Sequence, residues 1–200
     1  MKKTDSGNWT LVGDFTPEQK MKLAAYANLL TEWNAKLNLV SPSTISELWT
    51  RHIEDSAQLT EHLPLDAAII DVGSGAGLPG MILSILGYAK MQLVESDQRK
   101  SVFLQEAARV CAVAPQIHMA RVEALKNTKA DIITARAFAP LDQLLKLTAH
   151  LGGHYVLLKG ENVMDEIREA GRGWLFDYAL HPSRTGPGFI VTIQNLKEKL

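Results

Sequence analysis

The stretch AIIDVGSGAGLPG, residues 68–80, decides the fold. An apolar run of strand length ends in a carboxylate, Asp71, and passes into four glycines, Gly73, Gly75, Gly77 and Gly80, with Pro79 opening the segment that follows. Gly73, Gly75 and Gly77 let the main chain turn tightly at positive φ and leave room for a nucleoside, while the next helix presents free N–H groups at its start. Two spacings overlap here. Gly75, Gly77 and Gly80 satisfy the G-x-G-x-x-G pattern of dinucleotide sites, whereas Asp71, Gly73, Gly75 and Gly77 satisfy the D-x-G-x-G-x-G pattern associated with S-adenosylmethionine. Asp71 tilts the choice, because a carboxylate there would repel a pyrophosphate but can receive the ammonium or sulfonium end of the methyl donor, directly or through water. Glu95 closes the next apolar run, where it can accept from both ribose hydroxyls of either cofactor. The plain alternative is a glycine turn that only permits close helix–sheet packing.

Outward from this loop, short apolar runs alternate with amphipathic segments after Pro64, the rhythm of a parallel sheet with crossover helices. The pattern predicts strands near 67–72, 91–95, 116–120, 130–135 and 154–159, with helices near 79–87, 98–111, 140–149 and 162–170. WLFDYAL and GFIVTIQ, joined across HPSRTGPG, predict two more strands as an antiparallel hairpin, giving seven in all. Before Pro64, Thr16-Pro17-Glu18-Gln19 is a capping box with proline at the first helical position. Tyr26, Leu29, Leu30, Trp33 and Leu37 form the buried stripe of that helix. A second capping box, Thr44 to Glu47, predicts another helix with the stripe Ile45, Leu48, Trp49 and Leu59, which also carries His52 and Ser56. The expectation is a loose tail over 1–15, an N-terminal helical cap over 16–64 and a Rossmann-like α/β core over 65–200, all in one compact unit.

Composition excludes several classes. The 200 residues carry 21 Lys+Arg against 22 Asp+Glu, a formal net charge of −1, which argues against non-specific coating of nucleic acid. A single cysteine, Cys111, excludes an internal disulfide, and no stretch approaches the ~18 apolar residues of a membrane span. These features predict a cytoplasmic protein, and its compactness a monomer. His150 and His154 flank Gly152-Gly153, which break the helix a zinc pair at this spacing needs, so no metal is expected.

The glycine loop also sits in a longer context: WNAKLNLVSPSTISELWTRHIEDSAQL precedes it, and ARVEAL and TARAFAPLDQLL follow it. In this order the chain, from about Trp33 through Gly160, resembles the RsmG (GidB) family. The resemblance implies the class I S-adenosylmethionine-dependent methyltransferase fold and methylation of N7 of one guanine in 16S ribosomal RNA, free or within a small-subunit particle. It further implies that Gly73, Leu78, Val122, Glu123 and Arg136 contact the cofactor, and that Arg136 also faces the RNA.

Local chemistry bears on these positions. Val122-Glu123 and Arg136 follow apolar strands at the sheet edge where open α/β sheets bind ligands, and a guanidinium there can grip a carboxylate or phosphate. His52 lines either a core or a cleft. Arg51 and Asp55 are an i, i+4 pair on the helix surface or part of the site, and Lys159 either meets an RNA phosphate or snorkels at the sheet edge. Trp33, Trp49 and Phe138 are core aromatics or stacking partners for a base. Glu161 and Gly188-Phe189 stand where the family pattern often has basic or amide side chains, which leaves Arg172 or Arg184 to supply that charge. Guanine N7 is an unprotonated lone pair, so neither a triad nor a general base is expected, and His52 and Arg136 would act by positioning. Two other readings share the sheet: a small-molecule methyltransferase with the N-terminal helices as a lid, and a non-catalytic nucleotide-binding or ribosome-assembly module.

Overall fold

The computed structural model describes residues 15–199. The predicted tail therefore lies outside the described residues except for its last position, Phe15, which packs against the core.

Helix α1 (Pro17–Leu37) begins as the capping box predicts, with Gln19 N–H donating to Thr16 Oγ1 at 3.2 Å and Thr16 N–H to Gln19 Oε1 at 3.0 Å. It ends at Asn38 in the left-handed region, and buried Asn34 accepts from Val40 N–H through its side chain. The second predicted helix is helical throughout and buries Leu48, His52, Ser56 and Leu59, but it starts at Pro42 rather than at Thr44 and is not a regular α-helix. Residues 42–62 form a chain of short turns: 3₁₀ over Pro42–Glu47, π over Trp49–Glu54, α2 (Asp55–Ala57) and 3₁₀ over Gln58–His62. No capping box forms at Thr44, because its hydroxyl donates to Ser41 O at 2.7 Å and meets His52 Nε2 at 2.8 Å. A π turn widens the helix, a distortion that gathers at functional sites, and here it buries His52 and Ile53.

Then the sheet starts: β1 (Ile69–Val72), α3 (Gly80–Ile85), β2 (Met91–Glu95), α4 (Gln98–Val110), β3 (Gln116–Met119), β4 (Ile132–Arg136), α5 (Leu141–Thr148), β5 (His154–Lys159), α6 (Val163–Gly173), β6 (Trp174–Pro182) and β7 (Phe189–Glu198). Their spatial order is β3-β2-β1-β4-β5-β7-β6, with the first five parallel and β7 antiparallel to both β5 and β6. The class I methyltransferase sheet with its C-terminal hairpin is thus present. Strand order reverses between β1 and β4, which leaves a crevice at their C-terminal ends, the place where open α/β sheets receive ligands.

One core lies on each face of the sheet. Leu23, Tyr26 and Leu30 of α1 share theirs with Ile69, Met81, Leu93 and Phe103, so the N-terminal helices are built onto the sheet. The other joins Ile70, Val72, Ile133, Leu144, Tyr155 and Val191.

Candidate active site

The glycine loop leaves β1 with Gly73 and Ser74 N–H both donating to Val94 O, at 2.9 and 3.0 Å. Gly73, Gly75 and Gly77 all take positive φ, 67°, 56° and 84°. A Cβ at Gly75 would meet nothing nearer than Gly73 O at 3.8 Å, so the middle of the loop faces open space; one at Gly77 would lie 2.7 Å from Met81 Cβ, so that glycine serves helix packing. From α1, the buried Tyr26 hydroxyl donates to Ala76 O at 2.7 Å and pins the loop from behind.

Asp71 and Glu95 brace this loop. Asp71 is fully buried, its Oδ2 accepts from Gly80 N–H at 3.1 Å, and its Oδ1 has no hydrogen-bond partner. Burial pushes its carboxyl up to about 7, against the pull of the nearby Ser74 hydroxyl, which donates to Asp71 O at 3.0 Å, and of the Gly80 hydrogen bond, and nearby Glu95 adds to the rise. Glu95 clasps two backbone groups, Gly75 N–H at 2.8 Å and Asp97 N–H at 2.7 Å, and so ties the tip of β2 to the loop. Leu78 and Val122 are buried, while Glu123 is exposed on the short 3₁₀ turn Val122–Ala124 after β3.

The end of β4 anchors a second cluster. Arg136 Nη2–H donates to His52 Nδ1 at 2.7 Å, and its Nη1 lies 3.5 Å from Asp55 Oδ2. A guanidinium only donates, so His52 Nδ1 carries no proton and Nε2–H donates to Thr44 Oγ1, whose own proton goes to Ser41 O. Burial, with the charges of Arg136 and Arg51, holds the imidazole down to about 4 and keeps it neutral. Asp55 Oδ1 accepts from Thr185 Oγ1 at 2.7 Å and from Gln58 Nε2 at 2.9 Å, which ties the β6–β7 turn to the same cluster. Arg136 is itself lowered, chiefly by burial, with Asp55 opposing.

Beside this cluster opens a cavity of about 590 Å3 lined by Arg51, Arg136, Phe138, Lys159, Glu161 and Phe189 among others. The expected Arg51–Asp55 pair does not form: Asp55 turns to Arg136, and Arg51 stays exposed at the cavity mouth. Lys159 donates to Ala139 O at 2.8 Å and to Glu166 Oε2 at 2.7 Å, with only 10% of its side chain exposed. It is a largely enclosed ion-pair partner of Glu166 at the C-terminal end of β5. Trp33 packs on Phe103 with ring centroids 5.6 Å apart and Trp49 packs on the same core, whereas Phe138 reaches the cavity. Arg172 and Arg184 form surface ion pairs with Glu169 and Glu61. Among the described residues no group of three or more His, Cys, Asp or Glu is placed to hold a metal ion, and no helix is long and apolar enough to cross a membrane.

Sequence reasoning missed Thr44, Thr185, Glu166 and the Tyr26 hydroxyl. Only Tyr26 carried a signal, a polar tip within an apolar stripe.

A seven-stranded sheet of this order with a D-x-G-x-G-x-G loop at its switch point defines a class I S-adenosylmethionine-dependent methyltransferase fold. Solved structures share it: ribosomal protein L11 methylase from Lactobacillus delbrueckii subsp. bulgaricus aligns with TM-score 0.58 and 18% identity over 72% of this chain and 78% of its own. Magnesium protoporphyrin IX methyltransferase from Synechocystis PCC 6803, with bound SAM, aligns at 0.57 and 13% identity over 90% and 98%. The family model for rRNA small subunit methyltransferase G matches residues 19–185. Ribosomal RNA small subunit methyltransferase G of Gluconobacter oxydans is 46% identical over 184 residues, 90% of this chain and 95% of that protein. Its namesake in Paramagnetospirillum magneticum is 42% identical over 174 residues, 85% of each. The chain belongs to the ribosomal RNA small subunit methyltransferase G family.

Proposed function

We propose that this chain transfers the methyl group of S-adenosylmethionine to N7 of one guanine in 16S ribosomal RNA, acting in the cytoplasm as a monomer on RNA that is free or within a small-subunit particle. The observation that carries the reading is the match of the family model over residues 19–185, which spans the glycine loop and the Arg136 cluster together.

The residues present fit the donor. Asp71 Oδ1, buried and without a partner, is a seat for positive charge near the loop, and the open face of Gly75 leaves the backbone free for close approach. Gly73, Gly75, Gly77 and Leu78 would hold the donor with Asp71; Glu95 keeps lone pairs for the ribose beyond its two backbone bonds; Val122 would pack on the adenine and Glu123 read its polar edge. When bound, S-adenosylmethionine supplies an electrophilic methyl group on a sulfonium. The protein's part is then to hold donor and base in line, an effect worth up to ~7–11 kcal/mol in well-oriented systems.

His52 is not arranged to take a proton: both its nitrogens are engaged and the ring is held neutral. Guanine N7 presents its lone pair without one to lose, so a positioning site suffices. Arg136 and His52 fix the wall between donor and acceptor, and Arg51, at the cavity mouth, is the cation placed for an RNA phosphate. The test is mass mapping of modified nucleotides in ribosomal RNA from cells with and without the protein. The expected result is one N7-methylguanine in 16S RNA that disappears with it; an unchanged modification map overturns the reading.

A further inference from the structure

The acceptor cavity has two aromatic side chains among its described lining residues, Phe138 and Phe189, and Phe138 also touches the donor loop at Gly73. A Cβ built on Gly73 would overlap the Phe138 ring, so the ring lies directly on the backbone of residue 73 and only glycine there permits it. The bend that sends it there is Ala137, which takes φ 50°. A non-glycine residue is strained in the left-handed region, and the turn it makes lets Arg136 reach back to His52 while Phe138 reaches across to the loop after β1. Phe138 is half-buried, so the ring is not closed off in the core. The cavity, about 590 Å3, falls within the roughly 300–1,000 Å3 that engulf a single small ligand, which is room for one nucleotide but not for a stacked duplex.

We infer that Phe138 is the platform on which the acceptor guanine stacks after it has been turned out of the RNA as a single nucleotide, with its imidazole edge toward the glycine loop. The inference rests on the methyl-transfer reading above and adds to it the residue that holds the base. A base stacked elsewhere in the cavity would sit farther from the loop, because Phe189 starts β7 on the far side of β5. Extrusion costs the stacking and pairing the base had in the RNA, and stacking on an aromatic ring returns part of that cost.

The test compares the parent chain with Phe138→Leu, Phe138→Tyr and Phe189→Leu. Thermal unfolding and titration with S-adenosylhomocysteine are measured alongside kcat and KM on undermethylated small-subunit RNA. Phe138→Leu is expected to keep its cofactor affinity and lose about ten- to a hundredfold in kcat/KM, equivalent to ~1.4–2.8 kcal/mol at ~1.4 per factor of ten, and Phe138→Tyr to restore it. The platform is overturned if Phe138→Leu works like the parent, if its loss is matched by an equal loss of cofactor affinity, or if Phe189→Leu alone is impaired. Proton NMR of GMP with the S-adenosylhomocysteine complex reads the stacking without turnover: the guanine H8 signal should move upfield with the parent and not with Phe138→Leu. That readout separates the two readings. A parent that shifts H8 but methylates no guanine N7 sinks the proposed reaction and keeps the platform, whereas no H8 shift in the parent sinks the platform.

Discussion

Replacing Asp71 with Asn should stabilise the ligand-free protein, and by an amount that grows with pH. Asp71 is wholly buried, with one oxygen on Gly80 N–H and the other on nothing, and burial raises its carboxyl from 3.8 to about 7. In the unfolded chain the carboxyl ionises above 3.8; in the folded chain it keeps its proton until about 7. Folding therefore becomes less favourable as pH rises through that window, by ~1.4 kcal/mol per pH unit, reaching up to about 4 kcal/mol at its upper end. The asparagine amide is neutral at every pH, and its oxygen can still accept from Gly80. The stability difference between Asp71→Asn and the parent should thus be near zero at pH 4 and largest above pH 7, in urea denaturation at a series of pH values without ligand. His52 runs the other way: held down from 6.5 to about 4, it stabilises fully above 6.5 and loses that contribution as pH falls toward 4. Its effect is common to both proteins and cancels in the difference. In the parent the two opposing slopes flatten the profile between about pH 4 and 6.5, whereas Asp71→Asn should show the His52 decline uncovered. Donor affinity should fall at the same time, since the buried negative charge is the seat proposed for the donor's cation. An Asp71→Asn protein no more stable than the parent at pH 8, or a difference independent of pH, would refute the reasoning.

Gly80→Ala would place a Cβ 2.7 Å from Asp71 Oδ2 and 2.9 Å from Asp71 Cβ, with Leu93 in the way as well. Overpacking of this kind costs ~1–3 kcal/mol, and denaturant midpoints equal to the parent's would mean that α3 is not clamped against the sheet. Lys159→Met removes the cation that bonds Ala139 O and Glu166, so stability should drop by ~1–3 kcal/mol. The salt dependence of RNA binding should keep its slope, whereas a slope shallower by about one would put Lys159 on a phosphate. Arg136→Ala strands His52 Nδ1 and Asp55 Oδ2; kcat/KM for methyl transfer should fall at least about tenfold with the fold kept, the loss expected when a positioning group goes. Unchanged turnover would remove Arg136 from the site.

Legibility in the sequence followed the range of the interaction. Helix α1, the parallel strands and the terminal hairpin rest on local periodicity and capping, and their predicted bounds agree with the structure to within a few residues. The glycine loop was legible because a strand, a carboxylate and close-spaced glycines form one continuous signal. Segment 42–62 was not, because Thr44 looks like a cap by composition and its hydroxyl is taken by His52, a contact that needs the π turn to form. Asp55 reads locally as a partner for Arg51, yet the stronger competitor, Arg136, arrives on β4 and is more buried. The sequence leaves Lys159 open between a phosphate contact and a snorkelling side chain because its partner Glu166 lies one helical turn into α6, across a loop whose path periodicity does not give.

The same long-range contacts explain how a site without a proton acceptor can still be demanding of its residues. Four stretches distant in sequence meet at or beside the acceptor cavity: 44–58 from the N-terminal helices, 136–140 after β4, 158–166 from the end of β5 into α6, and 183–188 in the hairpin turn. Around Arg136 the charged groups fix the direction of the bonds. Arg136 can only donate, so His52 must accept at Nδ1; Thr44 gives its proton to Ser41 and must accept from Nε2; Asp55 is left to receive Thr185 and Gln58. Bonds directed in this way by charged, buried groups hold the cavity wall in place. For a reaction whose nucleophile needs no activation, that fixed wall is what the protein contributes. Losses at Arg136, His52 or Asp55 should therefore be non-additive, each one already releasing the wall that the others hold.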